Sequence, residues 1–210
     1  MFKKKAFFVV FEGIEGSGKS YHCKKLYKKI SKLGIKPVFT KEPGGSKSTY
    51  PIRKIILSGK KNKFNKITDL LLYLASRSEH VEKIIKPAIL KKKVVICDRF
   101  MDSTIAYQVY GQKINQDIIN NLHREILGNI RPNLTFLLRV NVKEALKRIN
   151  KRKFINRYDM QSKKFYMRAQ KGYLNLVKKN KKKYVVLDTS KNIKVNEKLI
   201  YDIFLRRFQK

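Results

Sequence analysis

A three-layer α/β fold, with a five-stranded and mostly parallel sheet between two layers of helices, is predicted by three observations. Short apolar runs alternate with stretches whose apolar residues recur three and four positions apart. The first run, Phe7–Phe11, leads straight into the glycine-rich turn Gly13–Ser20, GIEGSGKS, which opens a helical pattern. The chain has 210 residues, 42% of them apolar, enough to bury one core. Strand–helix alternation implies right-handed crossovers and gathers ligands beyond the carboxyl ends of the strands. One domain over 1–210 is expected, with a small lid at about 148–159.

Phe7–Phe11 is apolar throughout, as expected of a strand buried on both faces. The opening MFKKKAFFVVF superficially resembles a signal peptide, but its apolar part is short and no small-residue cleavage site follows. Lys19 to Leu33 reads as a helix, with Leu26 and Ile30 on one face and Gly34 as its stop. Val38–Thr40 is a second strand, followed by the loop EPGGS. Pro51 to Leu57 is a short helix that starts at its proline. Ser58–Lys66 is a polar surface loop. Leu70 to Ile85 carries a helical stripe through Leu71, Leu74, Val81 and Ile84. Val94–Cys97 is the third strand and ends at Asp98-Arg99. Ser103 to Val109 and Asn115 to Leu127 are helices, the second stopped by Gly128. Leu134–Leu138 is the fourth strand and Val142 to Asn150 the next helix. Lys151–Tyr158 is basic and lacks an apolar period, so it is predicted to be mobile. Phe165, Ala169, Tyr173, Leu176 and Val177 mark a further helix. Tyr184–Leu187 is the fifth strand, and Val195 to Phe208 the closing helix. Lys91–Lys93 and Lys178–Lys183 are solvated turns.

The net charge is +36, with 51 Lys and Arg against 15 Asp and Glu. Such a field attracts polyanions, and a basic nucleic-acid-binding protein is one reading of it. No nucleic-acid motif accompanies the charge, so it is read as a compositional habit of exposed positions, with nucleic acid not required. Cys23 and Cys97 belong to no CxxC pair, which argues against metal or redox chemistry. No run approaches the roughly 20 apolar residues of a membrane span. A cytoplasmic protein with no membrane contact is expected.

The turn Gly13, Ile14, Glu15, Gly16, Ser17, Gly18, Lys19, Ser20 has the spacing of a phosphate-binding P-loop, which makes the predicted fold P-loop NTPase-type. Glycines let successive backbone N–H groups converge on an anion, and the helix that starts near Lys19 adds its positive end. Lys19 can reach the β- and γ-phosphates of a nucleotide, and the Ser20 hydroxyl can join a Mg²⁺ shell. Just past the second strand, Glu42-Pro43-Gly44-Gly45 admits another anion to the backbone, and Arg53 can fork onto a phosphate. At the third strand end, Asp98 can hold a metal-bound water or orient an acceptor, and Arg99 can neutralise transferring phosphates.

With EGIEGSGKS (Glu12–Ser20), TKEPGG (Thr40–Gly45), LLYLASRSEH (Leu71–His80), DRFMDSTIAYQVYG (Asp98–Gly111), RPNLTFLL (Arg131–Leu138) and LDTS (Leu187–Ser190) in register, nearly the whole chain resembles the thymidylate kinases. These phosphorylate dTMP to dTDP with Mg·ATP. Another nucleoside-monophosphate kinase is the alternative within the enzyme class. The resemblance implies that Glu15 meets the deoxyribose 3′-hydroxyl and that Tyr73 stacks on thymine. It implies that Arg77 donates to a base carbonyl, with Ser103 and Thr104 at the base edge. Tyr107 would pack under the sugar and disfavour a 2′-hydroxyl. Arg53 and Arg99 would hold the dTMP phosphate, beside Glu42 and Pro43. Arg148–Asp159, RINKRKFINRYD, is similar to the arginine-bearing lid of the bacterial enzymes, with Arg148, Arg152 and Arg157 as candidates. Arg152 lies nearest the register of the family's catalytic arginine. Lys153, Asn156 and Asp159 depart from the usual lid pattern, Asn156 removing a charge next to Arg157, and Ser76 stands where an acid is frequent. The family is commonly dimeric, so a homodimer is expected.

Overall fold

The computed structural model describes residues 5–190 and 192–209. Five strands, β1 (Phe7–Glu12), β2 (Val38–Lys41), β3 (Val94–Asp98), β4 (Leu134–Arg139) and β5 (Tyr184–Asp188), form one sheet in the order β2-β3-β1-β4-β5. Every pairing is parallel. Phe7 stands opposite Val94 on one side of β1, and Val9 opposite Leu134 on the other.

All six residues of β1 are buried, because a layer of helices covers each face. Val9 and Phe11 enter a core with Leu26 and Ile30 of α1 (Lys19–Ser31) and Phe204 of α9 (Ile193–Gln209). Phe8 and Val10 point the other way, against Val81, Ile85 and Phe100. Each of these side chains contributes about 1.5–3 kcal/mol of burial. α1 begins after Gly18 (φ 88°) and has no acidic residue in its first turn, which leaves its positive end suited to an anion.

α2 (Thr49–Leu57) and α3 (Lys66–His80) pack side by side. α3 starts four residues before the predicted Leu70, because the Asn65 side chain caps it by accepting from Thr68 N–H at 2.8 Å. It runs on through a π turn, Val81–Ile85, into α4 (Lys86–Leu90). The predicted Ser103–Val109 helix is a short α5 (Met101–Thr104) followed by a π-helix, Ile105–Gly111. α6 (Gln116–Leu127), α7 (Val142–Asn150) and α8 (Lys163–Lys179) complete the layers. α8 lies along the π-helix and fixes its wide turn at the carboxyl edge of the sheet.

The predicted mobile segment divides in two. Lys151–Ile155 is exposed, but Arg157 and Tyr158 are buried. Their partners are side chains and carbonyls far along the chain, which local periodicity cannot reveal.

Candidate active site

The ends of β1, β2 and β3 face one cleft, closed on the far side by α3, the π-helix and the segment after α7. Between β1 and α1, Gly13 and Gly16 hold φ values of 141° and 75°. A Cβ on Gly16 would lie 2.6 Å from the Ala145 carbonyl oxygen, and one on Gly13 would strike that of Leu138. Ile14 turns its side chain into the core and its carbonyl into the loop. Lys19 Nζ donates to that carbonyl at 2.8 Å and to Ser17 Oγ at 3.4 Å. Lys19, read from the motif as able to reach nucleotide phosphates, is only 6% exposed. It is folded inward onto the loop's own oxygens. Burial, and then the nearby Arg99 charge, push its ammonium down to about 8. The Ser20 hydroxyl donates to Asp98, so these two oxygen groups meet at the mouth of the loop.

Arg99 has φ 72° and swings its side chain back across β1. Nη1 donates to the Gly13 carbonyl at 2.9 Å, and Nη2 to Glu15 Oε1 at 2.8 Å. The Tyr107 hydroxyl donates to the other Glu15 oxygen, and the Arg99 guanidinium lies 5.1 Å over the Tyr107 ring. Burial alone would raise the Glu15 carboxyl, but Arg99 and Lys19 outweigh it and hold it below the usual carboxylate range.

Past β2, the EPGG turn is held by Ser76, whose hydroxyl accepts from Gly44 N–H at 3.0 Å. Arg53 donates to the Pro43 carbonyl. Glu42 is buried and accepts from Arg77 Nε (2.8 Å) and Nη2 (2.6 Å), with His80 Nδ1 at 3.0 Å. Arg77 also reaches Phe100 O (2.9 Å), Thr104 Oγ1 (2.6 Å) and His123 Nε2 (2.8 Å). Its five N–H groups are therefore all engaged. Burial and the Arg77 charge push His123 down to about 3, so its Nε2 acts as an acceptor. Arg77 lines the cleft beside Thr104, the one hydroxyl among these partners that also faces it. Tyr73 stands edge-on to Tyr158, with ring centroids 5.6 Å apart.

Three further residues hold positions that motif reading passed over. Glu12 is fully buried and accepts from Phe100 N–H (2.8 Å), Ser103 N–H (3.3 Å), Ser103 O–H (2.6 Å) and Tyr173 O–H (3.1 Å). Burial, with Asp102 nearby, raises its carboxyl to about 7. An acid closing a strand buried on both faces was a readable signal, since it must find partners inside. Gln108 lies four residues after Thr104, and its buried Nε2 has no protein partner. Tyr158 also lines the cleft.

Of the three candidate lid arginines, only Arg152 lines the cleft. Its side chain is 40% exposed and donates to Asp159 at 2.8 Å. Arg148 belongs to α7 and braces the glycine-rich loop, donating to the carbonyls of Gly16 (3.2 Å) and Thr189 (3.1 Å). Arg157 was read as having lost its acidic neighbour, but it pairs with the buried Asp69 of α3. Among the described residues no cluster of three or more metal-binding side chains occurs, and no helix is long and apolar enough to cross a membrane.

A family model for thymidylate kinase matches residues 11–200. The chain is 42% identical over 187 residues to a protein named thymidylate kinase from Onion yellows phytoplasma, covering 88% of this chain and 89% of that one. It is 40% identical over 188 residues to one of the same name from Mycoplasma capricolum, covering 89% and 88%. The crystal structure of thymidylate kinase from Ehrlichia chaffeensis superposes with a TM-score of 0.78 at 32% identity, over 96% of this chain and 99% of that one.

Proposed function

The chain belongs to the thymidylate kinase family and transfers the γ-phosphoryl group of ATP to dTMP, and we propose that Lys19, Asp98, Arg99 and Arg152 carry that transfer. The observation that supports this most is convergence. The P-loop, the cations Arg53 and Arg99, and the aromatic pair Tyr73 and Tyr107 all line one cleft at the strand ends. Phosphoryl transfer passes through a loose transition state, so the protein's work is positioning and charge neutralisation.

The loop backbone from Gly13 to Ser20 and the Lys19 ammonium hold the donor phosphates. The Ser20 hydroxyl and Asp98 carboxylate, already in contact, are hard oxygen donors of the kind Mg²⁺ accepts alongside phosphate and water. A Mg²⁺ ion held by these two groups would supply neutralisation of the phosphate charge. Arg53 and Arg99 face the acceptor phosphate, and Glu15 the 3′-hydroxyl. Glu42 and Pro43 frame the turn beneath it. Tyr107 stands under the sugar. Tyr73 stacks on the base, whose edge meets Ser103, Thr104, Gln108 and, through Thr104, Arg77. A panel of dTMP, dUMP, UMP and AMP tests the assignment. Turnover should be fastest with dTMP, and faster turnover of UMP or AMP would overturn it.

Arg77→Ala should weaken dTMP binding far more than ATP binding, because Thr104 at the base edge loses the Arg77 Nη1 bond that positions its hydroxyl, a charge-assisted bond worth roughly 1–3 kcal/mol. It should also destabilise the fold by about 3–5 kcal/mol, because Glu42 would stay buried without its cation. Titration with each nucleotide, together with urea melts, checks both. Equal loss of affinity for ATP and dTMP would count against the base-edge role.

A homodimer is part of the proposal. Ile55 of α2 and Ile67 and Leu71 of α3 are apolar and about half exposed. A monomeric mass in sedimentation across micromolar concentrations would exclude it. So is a cytoplasmic setting, which cell fractionation checks.

A further inference from the structure

The chain between α7 and α8 changes character at Asn156. Among the described hydrogen bonds, Lys153, Phe154 and Ile155 make none, and Phe154 is 90% exposed. From Arg157 to Asp159 the segment is held at every residue. Arg157 N–H donates to the Leu57 carbonyl at 3.2 Å, and its Nε to that of Ile56. Both terminal nitrogens reach the Asp69 carboxylate, Nη1 at 3.2 Å. Asp69 also accepts from the Tyr158 hydroxyl at 3.0 Å and from Gln112 Nε2 at 3.2 Å. The Tyr166 hydroxyl holds the Tyr158 carbonyl at 2.7 Å, and Asp159 accepts from Asn156 N–H at 3.0 Å.

These bonds aim one ring. Tyr158 meets Tyr73 edge-on and lies 6.3 Å from the Tyr107 ring, inside the cleft. Its hydroxyl donates to Asp69, which does not line the cleft, so its orientation is set by a group outside the pocket. We propose that the buried Asp69–Arg157 pair is an anchor that holds Tyr158 as a standing wall of the acceptor pocket, and that closure over the substrates is confined to Lys151–Ile155. This rests on the reading of the cleft as the dTMP site. Asp69 and Arg157 are then positioning residues that act through Tyr158.

The physical reason for the division is the difference in opening cost. Lifting Asn156–Asp159 separates a buried ion pair and strands both charges. Lifting Lys151–Ile155 breaks one ion pair, Arg152–Asp159, whose carboxylate keeps its Asn156 donors, and exposes little else, so the two halves open at very different frequencies. Arg152 sits on the movable half and Tyr158 on the fixed half. The catalytic cation and the pocket wall are thereby separated within a few residues.

Hydrogen exchange on the whole protein tests the division without relying on turnover. The amides of Lys153–Ile155 should exchange fast alone and slowly with a bisubstrate analogue. Those of Arg157, Asp159 and Gln161 should be slow in both states. Kinetics test the anchor. Asp69→Asn should raise the KM for dTMP about 10- to 100-fold, the scale of an ångström-sized misplacement, with the KM for ATP little changed. Tyr158→Ala should do the same, and the double variant should be no worse than Tyr158→Ala, since the two changes remove one effect. Equal exchange in the two halves, additive losses, or matching rises in both KM values would overturn the anchor. Should Asp69→Asn not fold, the wild-type exchange pattern and the nucleotide selectivity of the Tyr158→Ala effect still decide. Failure of the wild type to phosphorylate dTMP would refute the reaction instead, leaving the exchange result intact.

Discussion

Arg152→Ala is expected to lower kcat on the order of 10³-fold while changing either KM far less, the pattern of a cation that acts on transition-state charge. Three arginines were candidates, and their surroundings separate them. Arg148 is committed to two backbone carbonyls and Arg157 to a buried carboxylate. Arg152 lines the cleft from an exposed turn, and its carboxylate partner Asp159 is already satisfied by Asn156. A transferring phosphoryl group, carrying more charge than one carboxylate, can draw Arg152 from Asp159 at little cost. Single-turnover rates with saturating nucleotides measure the effect. An unchanged kcat in Arg152→Ala, with activity abolished in Arg148→Ala or Arg157→Ala, would move the catalytic role to one of those.

The second large effect is at the donor loop. Lys19→Ala should reduce kcat by about 10²- to 10³-fold, the usual cost of removing one preorganised charge. The inward fold of Lys19 adds an expectation about stability. Its ammonium is held near 8 when folded and returns to 10.5 when the chain unfolds. The proton is thus favoured by the unfolded state, and below pH 8 the penalty is fully present, about 3 kcal/mol. It is relieved as pH rises from 8 toward 10.5. Lys19→Ala should therefore melt no lower than the wild type at pH 7, and only the wild type should gain stability between pH 8 and 10.5. A variant that melts far lower at pH 7 would show that the lysine stabilises the empty loop, contrary to this account.

What was legible in the chain was what short-range rules govern. The buried strands announced themselves as apolar runs, the loop by its glycine spacing, and α1 by Leu26 and Ile30. The start of α3 was missed because Asn65 was read as loop composition and not as a cap. The π-helix was missed because one extra residue per turn leaves no distinct period. The pairs that organise the cleft join residues remote in sequence: Arg77 with His123, Arg157 with Asp69, Arg99 with Gly13 and Glu15. Nothing in a local window distinguishes a lysine folded onto its own loop from one facing solvent. The same blindness made Arg157 look unpaired. Buried polar side chains on otherwise apolar elements, Glu12 and Gln108 among them, were the one remaining trace of those pairings.

The strand order carries a consequence for how this molecule is made. β1 is the central strand, and it leaves the ribosome first. Neither of its neighbours exists at that point, since one side waits for Val94 and the other for Leu134. The nascent chain must therefore carry five consecutive apolar residues without a ladder partner until β3 is made, and with one side still open until β4 follows. An unpaired strand of that kind is what folding helpers bind and what aggregation recruits. The nucleotide loop, which hangs between β1 and α1, cannot take its final shape until the strand beneath it is flanked on both sides. Competence to bind ATP should thus arrive late and all at once during synthesis, with truncated chains that end before β4 recovered as aggregates and not as weak binders.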